Sequence, residues 1–399
     1  PPPPPPPPLI FFLMIRRPLR STPLYSSAAS DVYKRQQKKI EQYSRESFPN
    51  GITGYGTDAL RFTFYSLATT GRDIKFDLGR TEGFRNFCNK IWNASRYVLM
   101  NSEGKTIPSS PDQIHFSVAD RWIISRFEHT ARTIEKAMLG YRFDLASQAL
   151  HDFIWNEYCD WYVELSKPIL WDEEARPVEA QATRLTLLVI LEKILRLLHP
   201  FMPFLTEEIW QRVVPLLGIE GESIMLQPYP VFDESNIDSE AEEHINWLKG
   251  VIIAIRNIRG EMDISPAKAI PVQLRNGSEL DRKRLKDYRL YLQKLAKLDN
   301  IAWLESDQEV PVAATQLHEG LEILVPLAGL IDIEAERIRL EKEISKLEAG
   351  LKTVSGKLDN KKFMENAPEK VVSTEREKEQ SMTGALQALK QKLNQLGKV

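Results

Sequence analysis

The chain has 399 residues, 42% of them hydrophobic and 27% charged, with a formal net charge of −2. That length allows roughly two to four domains, and the near-zero charge excludes a binder that is basic all over while leaving room for a local basic strip. Cys88 and Cys159 stand far apart without C-x-x-C spacing, which argues against a zinc finger or disulfide framework and fits a reducing cytoplasm; no apolar run reaches the ~18 residues of a membrane-spanning helix.

Residues 1–36 differ in character from the rest of the chain. Eight prolines lead into an apolar run, Leu9 to Ile15, which precedes Arg16-Arg17. A signal peptide carries its basic residues before the apolar run, not after it. The stretch reads as a non-native leader, translated adapter sequence joined to an incomplete gene, and is expected to be irregular or poorly packed. Polar residues 37–50 read as a connector or short helix. Helices are then expected from Asp58 to Leu67 and from about Thr81 to Asn101. The second has Phe84, Phe87, Cys88, Ile91, Trp92, Ser95, Val98 and Leu99 on one stripe of period 3.6. Gly104, Pro108 and Pro111 mark a boundary.

An antiparallel helical bundle is expected over 117–262. Ser117, with Asp120 three residues on, reads as the N-cap of its first helix. Ile123, Phe127, Thr130, Ile134 and Ala137 form that helix's inner seam. Asp144 opens a second helix, expected to end before Pro168, which carries the aromatic cluster Trp155, Tyr158, Trp161 and Tyr162. That cluster reads as bundle core, with a base-stacking platform as the alternative. A third helix uses Leu185, Leu188, Leu191, Leu195 and Leu198, and His199 to Phe204 breaks it. Thr206 is expected to cap a short helix with Glu207 and Glu208 in its first turn. Ile245, Leu248, Ile252, Ile255 and Ile258 mark a last helix.

The pattern then changes to period 2. Ile270, Val272 and Leu274 predict a strand ending at Asn276-Gly277. A helix from about Ser278 to Leu298 and strands at Ile301 to Leu304 and Leu321 to Val325 complete a small α/β module, 263–330. In 331–399, Ile333, Arg337, Leu340, Ile344, Leu347, Leu351, Val354 and Leu358 alternate spacings of 4 and 3, as do Met382, Leu386, Leu389, Leu393 and Leu396. Two heptad arms joined by a breaker around Asn366 and Pro368 predict an antiparallel coiled-coil hairpin. The fold class is therefore mostly α: a helical bundle, a small α/β module and a C-terminal coiled-coil hairpin.

No catalytic constellation emerges. The six histidines have no Cys or carboxylate partner at metal-ligand spacing, and Gly54-Tyr55-Gly56 lacks the third glycine and the lysine of a phosphate loop. No metal or cofactor site is expected in this chain. Nucleic-acid binding has better support. Asn86, Lys90, Asn93 and Tyr97 follow helical offsets on one face of helix 81–101, flanked by Arg85 and Arg96. Lysine and arginine bind phosphate, asparagine hydrogen-bonds base edges, and tyrosine offers a stacking surface for an unpaired base. The plainer alternative is a solvated helix face with a half-buried tyrosine. From Arg337 onward the chain holds 14 Lys and Arg against 9 Asp and Glu. Lys352, Lys357, Lys361 and Lys362 gather near the distal end of the first arm, where a rigid hairpin reaches a distant phosphate backbone; otherwise such a run is a solvated face.

Thr57-Asp58-Ala59-Leu60-Arg61-Phe62, and after it Arg85-Asn86-Phe87-Cys88-Asn89-Lys90-Ile91-Trp92-Asn93-Ala94-Ser95-Arg96-Tyr97, resemble the segment that follows the active site in class I aminoacyl-tRNA synthetases. The segment Phe363 to Val372 resembles the turn of the C-terminal hairpin of the valyl type, which isoleucyl and leucyl types lack. The resemblance covers about 37–399. It implies that 37–116 is the end of a catalytic region with stem-contact helices, that 117–262 is an anticodon-binding domain and that 331–399 is a tRNA-binding arm. It implies that Tyr97 stacks on an anticodon base, that Lys75, and Arg80 beside Gly79, hold the anticodon stem, and that Arg72 and Asp73 pair at the junction with the catalytic domain. The partner implied is a valine-accepting tRNA, bound by a cytoplasmic monomer with no membrane or DNA role. The signatures of the type His-Ile-Gly-His and Lys-Met-Ser-Lys-Ser do not occur in the chain. ATP and Mg are implied for the full-length ligase, and the chain alone is expected to be inactive. The rival readings are a free-standing tRNA-binding module, the C-terminal part of an isoleucyl- or leucyl-type synthetase, and a coiled-coil interaction scaffold.

Overall fold

A computed structural model describes residues 27–49, 51, 53–69, 76–108, 114–305, 308, 313–327 and 333–358, with a discontinuous set between 373 and 390. Side chains are described from residue 36 on, except at 47, 333–340 and 343. The architecture is mostly helical with one four-stranded sheet.

Helix α1 spans Ser27–Ser47. It begins inside the stretch read as an irregular leader, so that expectation is corrected for 27–36. Exposed pairs four residues apart, Gln42 with Glu46 and Arg45 with Glu41, run along its surface, the arrangement that supports a helix without a core. Helix α2 spans Thr57–Leu67 and α3 spans Leu78–Ser102. Phe62 and Phe87 are fully buried, with ring centres 5.4 Å apart. Asp77 caps α3 by accepting the Gly79 N–H at 2.9 Å.

Helix α4 spans Val118–Leu139, and Ser117 and Asp120 form the expected capping box at its start. Its seam residues Ile123, Phe127, Thr130, Ile134 and Ala137 are all buried. The second helix departs from expectation. It starts as α5, Phe143–Asp152, widens into a π-helical segment, Phe153–Tyr162, and returns to α-helix as α6, Val163–Trp171. Pro168 lies inside α6 rather than beyond its end. An interior proline costs about 3 kcal/mol, but Leu165, Pro168, Ile169 and Leu170 are buried, and burying such side chains contributes about 2 kcal/mol each. Tertiary burial therefore outweighs the lost backbone bond.

Helices α7, Pro177–Leu198, and α8, Pro203–Leu217, come next. Met202, not Thr206, holds the N-cap position of α8, and Pro203 is its first residue. Thr206 turns its hydroxyl back to Met202 O and to His199 Nδ1, each at 2.8 Å. Glu207 and Glu208 therefore fall past the first turn. Helix α9, Ser239–Glu261, buries the whole expected seam from Ile245 to Ile258.

Strand β1, Ile270–Arg275, alternates buried and half-buried residues as its period of two requires. The chain then turns through Asn276, at φ 59°, into α10, Glu279–Asp287, capped by a Ser278–Asp281 box. In place of the one long helix expected, the chain breaks at Tyr288 into a second short helix, α11, Arg289–Leu295, and strand β2 starts at Leu298. Strand β3, Ala313–His318, is an element the sequence pattern does not predict; β4 is Leu321–Pro326. The sheet order is β2-β1-β4-β3, with β1 and β2 parallel and the other pairs antiparallel. Its buried face lies on α9, where the His318 ring fills the space a Cβ at Gly250 would take.

Helix α12 spans Ile333–Leu358. Ile344 is buried and Leu347, Leu351, Val354 and Leu358 are half-buried, while Lys342, Lys346, Lys352 and Lys357 are exposed. Contacts among the described residues join it to the later segment. Lys390 Nζ lies 2.7 Å from Glu348 Oε1, the Met382 methyl packs on Gly350, and Ser355 donates to Glu379. The breaker around Asn366 and Pro368 lies outside the described residues.

Candidate nucleic-acid interface

The Asp58 and Arg61 pair has a defined job. Helix α8 begins with no capping side chain of its own, leaving its first N–H groups unpaired. Asp58, from α2, supplies the cap: Leu205 N–H donates to its Oδ2 at 2.6 Å and Phe204 N–H to Oδ1 at 3.4 Å. Its negative charge also suits the positive end of the helix dipole. Arg61, one turn on, donates to Pro200 O at 3.0 Å and Phe201 O at 3.3 Å. The two residues clamp both sides of the break between α7 and α8. They fix α2, and with it α3, on the junction of α7 and α8.

Helix α3 then presents its polar face. Glu82, Asn86, Asn89, Asn93, Arg96 and Met100 are exposed, at alternating spacings of four and three that keep them on one helical stripe. Asn89 belongs to this stripe, although the register counted back from Tyr97 does not select it. The expected face splits in two. Asn86 and Asn93 point to solvent. Lys90 and Tyr97 lean onto the neighbouring helix. Lys90 bonds Asp160, and its Nζ lies 4.0 Å from the centre of the Trp155 ring. The Tyr97 hydroxyl shares a 2.9 Å hydrogen bond with Ser166 Oγ, and Lys167 Nζ lies 5.9 Å from the Tyr97 ring centre. Burial raises the Tyr97 pKa. On the other flank, Arg212 lies 5.7 Å from the Trp92 ring centre, and Arg85 sits between Glu82, at 3.7 Å, and the Tyr55 ring, at 5.5 Å. Arg80 is exposed at the start of the helix. Lys75, Arg72 and Asp73 lie outside the described residues.

The aromatic cluster also divides. Tyr158 and Tyr162 are buried, with hydroxyls donating to Leu187 O at 3.0 Å and Asp120 Oδ1 at 2.6 Å. They are core. Trp155 and Trp161 are half-buried, and each lies beside cations, Lys90 for the first and Lys249 and Arg256 for the second. Of the basic residues on the arm, Lys352 and Lys357 are exposed on α12; Lys361 and Lys362 lie outside the described residues. The described parts thus carry two sets of polar and basic groups, one on α3 and its flanks and one on α12.

Two family models match the chain: an anticodon-binding domain of tRNA ligase over residues 120–274 and a valyl tRNA synthetase tRNA binding arm over 332–397. A valine–tRNA ligase from Coxiella burnetii is 48% identical over 353 residues, covering 88% of this chain. The chain spans 38% of that relative's length. The agnB2 LeuRS–tRNA–LeuAMS ternary complex from Agrobacterium radiobacter K84 aligns over 68% of this chain and 29% of its own at 15% identity, with a TM-score of 0.33, too low to bear on fold or function. The two domain models match in order along the chain, and the 48% identity to the Coxiella burnetii ligase extends over 88% of this chain.

Proposed function

We propose that this chain is the tRNA-binding part of a valine–tRNA ligase, which serves the ATP-dependent attachment of valine to its tRNA. The observation that carries the reading is the 48% identity over 88% of the chain, together with the two domain models matched in order. The α3 stripe is the anticodon-loop face: Arg96 and Lys90 take phosphate, Asn86, Asn89 and Asn93 read base edges, and Tyr97 supplies a ring whose tilt is set by its bond to Ser166. Arg80, Arg85 and Lys75 hold the stem. The helical bundle over 117–262 is the anticodon-binding domain and 263–330 a separate small module. The 331–399 segment is an antiparallel coiled-coil hairpin that carries Lys352, Lys357, Lys361 and Lys362 to the outer corner of the tRNA. The contacts of residue 348 with 390, 350 with 382 and 355 with 379 support the antiparallel sense, because one number falls as the other rises. The chain acts as a monomer and holds no ATP or Mg site of its own, both being required by the full ligase.

The test is a gel shift of the 399-residue chain on valine-accepting and isoleucine-accepting tRNA over a salt series, beside an aminoacylation assay. Expected are a preference for the valine tRNA, a steep loss of affinity as salt rises and no charging. Binding indifferent to salt and tRNA identity, or none, would contradict the tRNA assignment.

A further inference from the structure

The ten-residue π-helical segment builds a small device beside α3. In an α-helix, residues five apart point about 140° from each other. The i→i+5 bonding of a π-helix widens the turn and brings them back towards one face. Trp155 and Asp160 are five apart within this segment, and both meet Lys90. The indole is backed by two rings: it stacks on His151 with ring centres 5.5 Å apart and planes at 18°, and on Phe87 at 6.2 Å, and those two rings lie 4.8 Å from each other on the same side of it. The Lys90 ammonium sits 4.0 Å from its centre while bonding Asp160. The Lys90 side chain is 23% exposed and that of Asp160 48%, so the carboxylate is the more solvent-accessible partner of the pair and the one that water can take up when it is displaced.

We propose that Asp160 is a counterion that a phosphate of a bound RNA displaces, and that Lys90, drawn to that phosphate, uncovers Trp155 as a stacking surface for an unpaired base. The inference rests on the reading of α3 as an RNA-binding face. Three groups in one place support it. The cation is half-buried against an aromatic ring, its partner is exposed enough to be exchanged, and the ring beneath is held by packing on its other neighbours. An exposed carboxylate of this kind stabilises the free protein by little, so exchange for a phosphate is cheap. Its presence lowers RNA affinity until the exchange occurs, and gives preference to an RNA that places a phosphate and an unstacked base together. A single-stranded loop does this and a duplex does not.

The experiment titrates the 399-residue chain with a seven-nucleotide-loop RNA hairpin and with the same hairpin carrying abasic loop positions. The variants are Asp160→Asn, Asp160→Asn with Lys90→Gln, and Trp155→Leu. Asp160→Asn is expected to bind about two- to fivefold tighter at low salt, with a salt slope steeper by about one. The double variant is expected to lose that gain. Trp155→Leu is expected to lower the preference for the intact over the abasic hairpin by about fivefold or more. If the original chain binds the hairpin but Asp160→Asn does not gain, the exchange is overturned while the RNA-binding face stands. If Trp155→Leu keeps the full preference, the stacking role is overturned. If the original chain does not bind the hairpin at all, the reading of the face falls and takes the inference with it.

Discussion

Lys249 shows how much a single side chain can record about its surroundings. Its Nζ lies 4.0 Å from the centre of the Trp122 ring and 5.3 Å from that of Trp161. Burial pushes its pKa down from 10.5 to about 8, only partly opposed by Glu157 and Glu242. The unfolded chain keeps this proton up to the ordinary lysine pKa, whereas the folded chain gives it up near pH 8. Between about 8 and 10.5 the unfolded state therefore binds more protons, and the stability contributed by this group rises with pH. Below pH 8 that contribution is gone. Lys249→Met removes the desolvated charge and is expected to stabilise the fold at pH 7 by about 1–2 kcal/mol after allowance for partial exposure. It should also flatten the stability profile over that window in urea melts taken at stepped pH. Parallel profiles for the two chains would contradict this. Asn89 teaches the converse. Its exposure beside Asn86 and Asn93 is a matter of helical phase, and phase is legible in the sequence once the buried stripe from Phe87 to Leu99 is in hand. The lean of Lys90 and Tyr97 away from that stripe is not legible, because the acceptors that pull them, Asp160 and Ser166, come from another helix.

At the scale of elements, helical seams are readable because burial on one face imposes a 3.6 period: α4 and α9 bury every residue that the spacing singles out, and α7 all but Leu185, which is half-buried. The misreadings have physical causes. A π-helical segment changes the backbone bonding without any residue type that marks it, so Phe153–Tyr162 reads as ordinary α-helix. Pro168 breaks a local rule that tertiary burial overrides. Strand β3 pairs only with β4, at the sheet edge, and only Ala314 is buried in it, which leaves no apolar alternation to find. The missing cap of α8 is visible as Met202-Pro203, but nothing in the sequence says that Asp58 supplies it. Asp58→Ala is accordingly expected to cost about 1–2 kcal/mol, the loss of a helix cap, and Asp58→Asn less, since its amide oxygen still accepts from Leu205 N–H. Thermal melts of the three chains check the order. Equal melting temperatures would show that α2 does not depend on this contact.

For the whole molecule, two polar surfaces are assigned to one elongated ligand. The α3 stripe and the basic positions of α12 lie on different parts of the chain, and a folded tRNA offers phosphates along its whole length. A mostly helical chain interrupted by a small sheet is foreseeable from the switch of period along the sequence, whereas the set of side chains gathered around α3 is not, because it depends on which helices flank α3. The most direct test is a nuclease footprint of valine-accepting tRNA with the 399-residue chain, repeated with Arg96→Ala and Asn93→Ala, two exposed positions on α3. Expected is protection of both the anticodon loop and the outer corner. Arg96→Ala should weaken binding generally and lower the salt slope by about one, and Asn93→Ala should reduce protection in the anticodon loop while leaving the corner protected. Protection of the corner alone in the original chain, unchanged by either variant, would contradict the assignment of α3 as the anticodon-reading face.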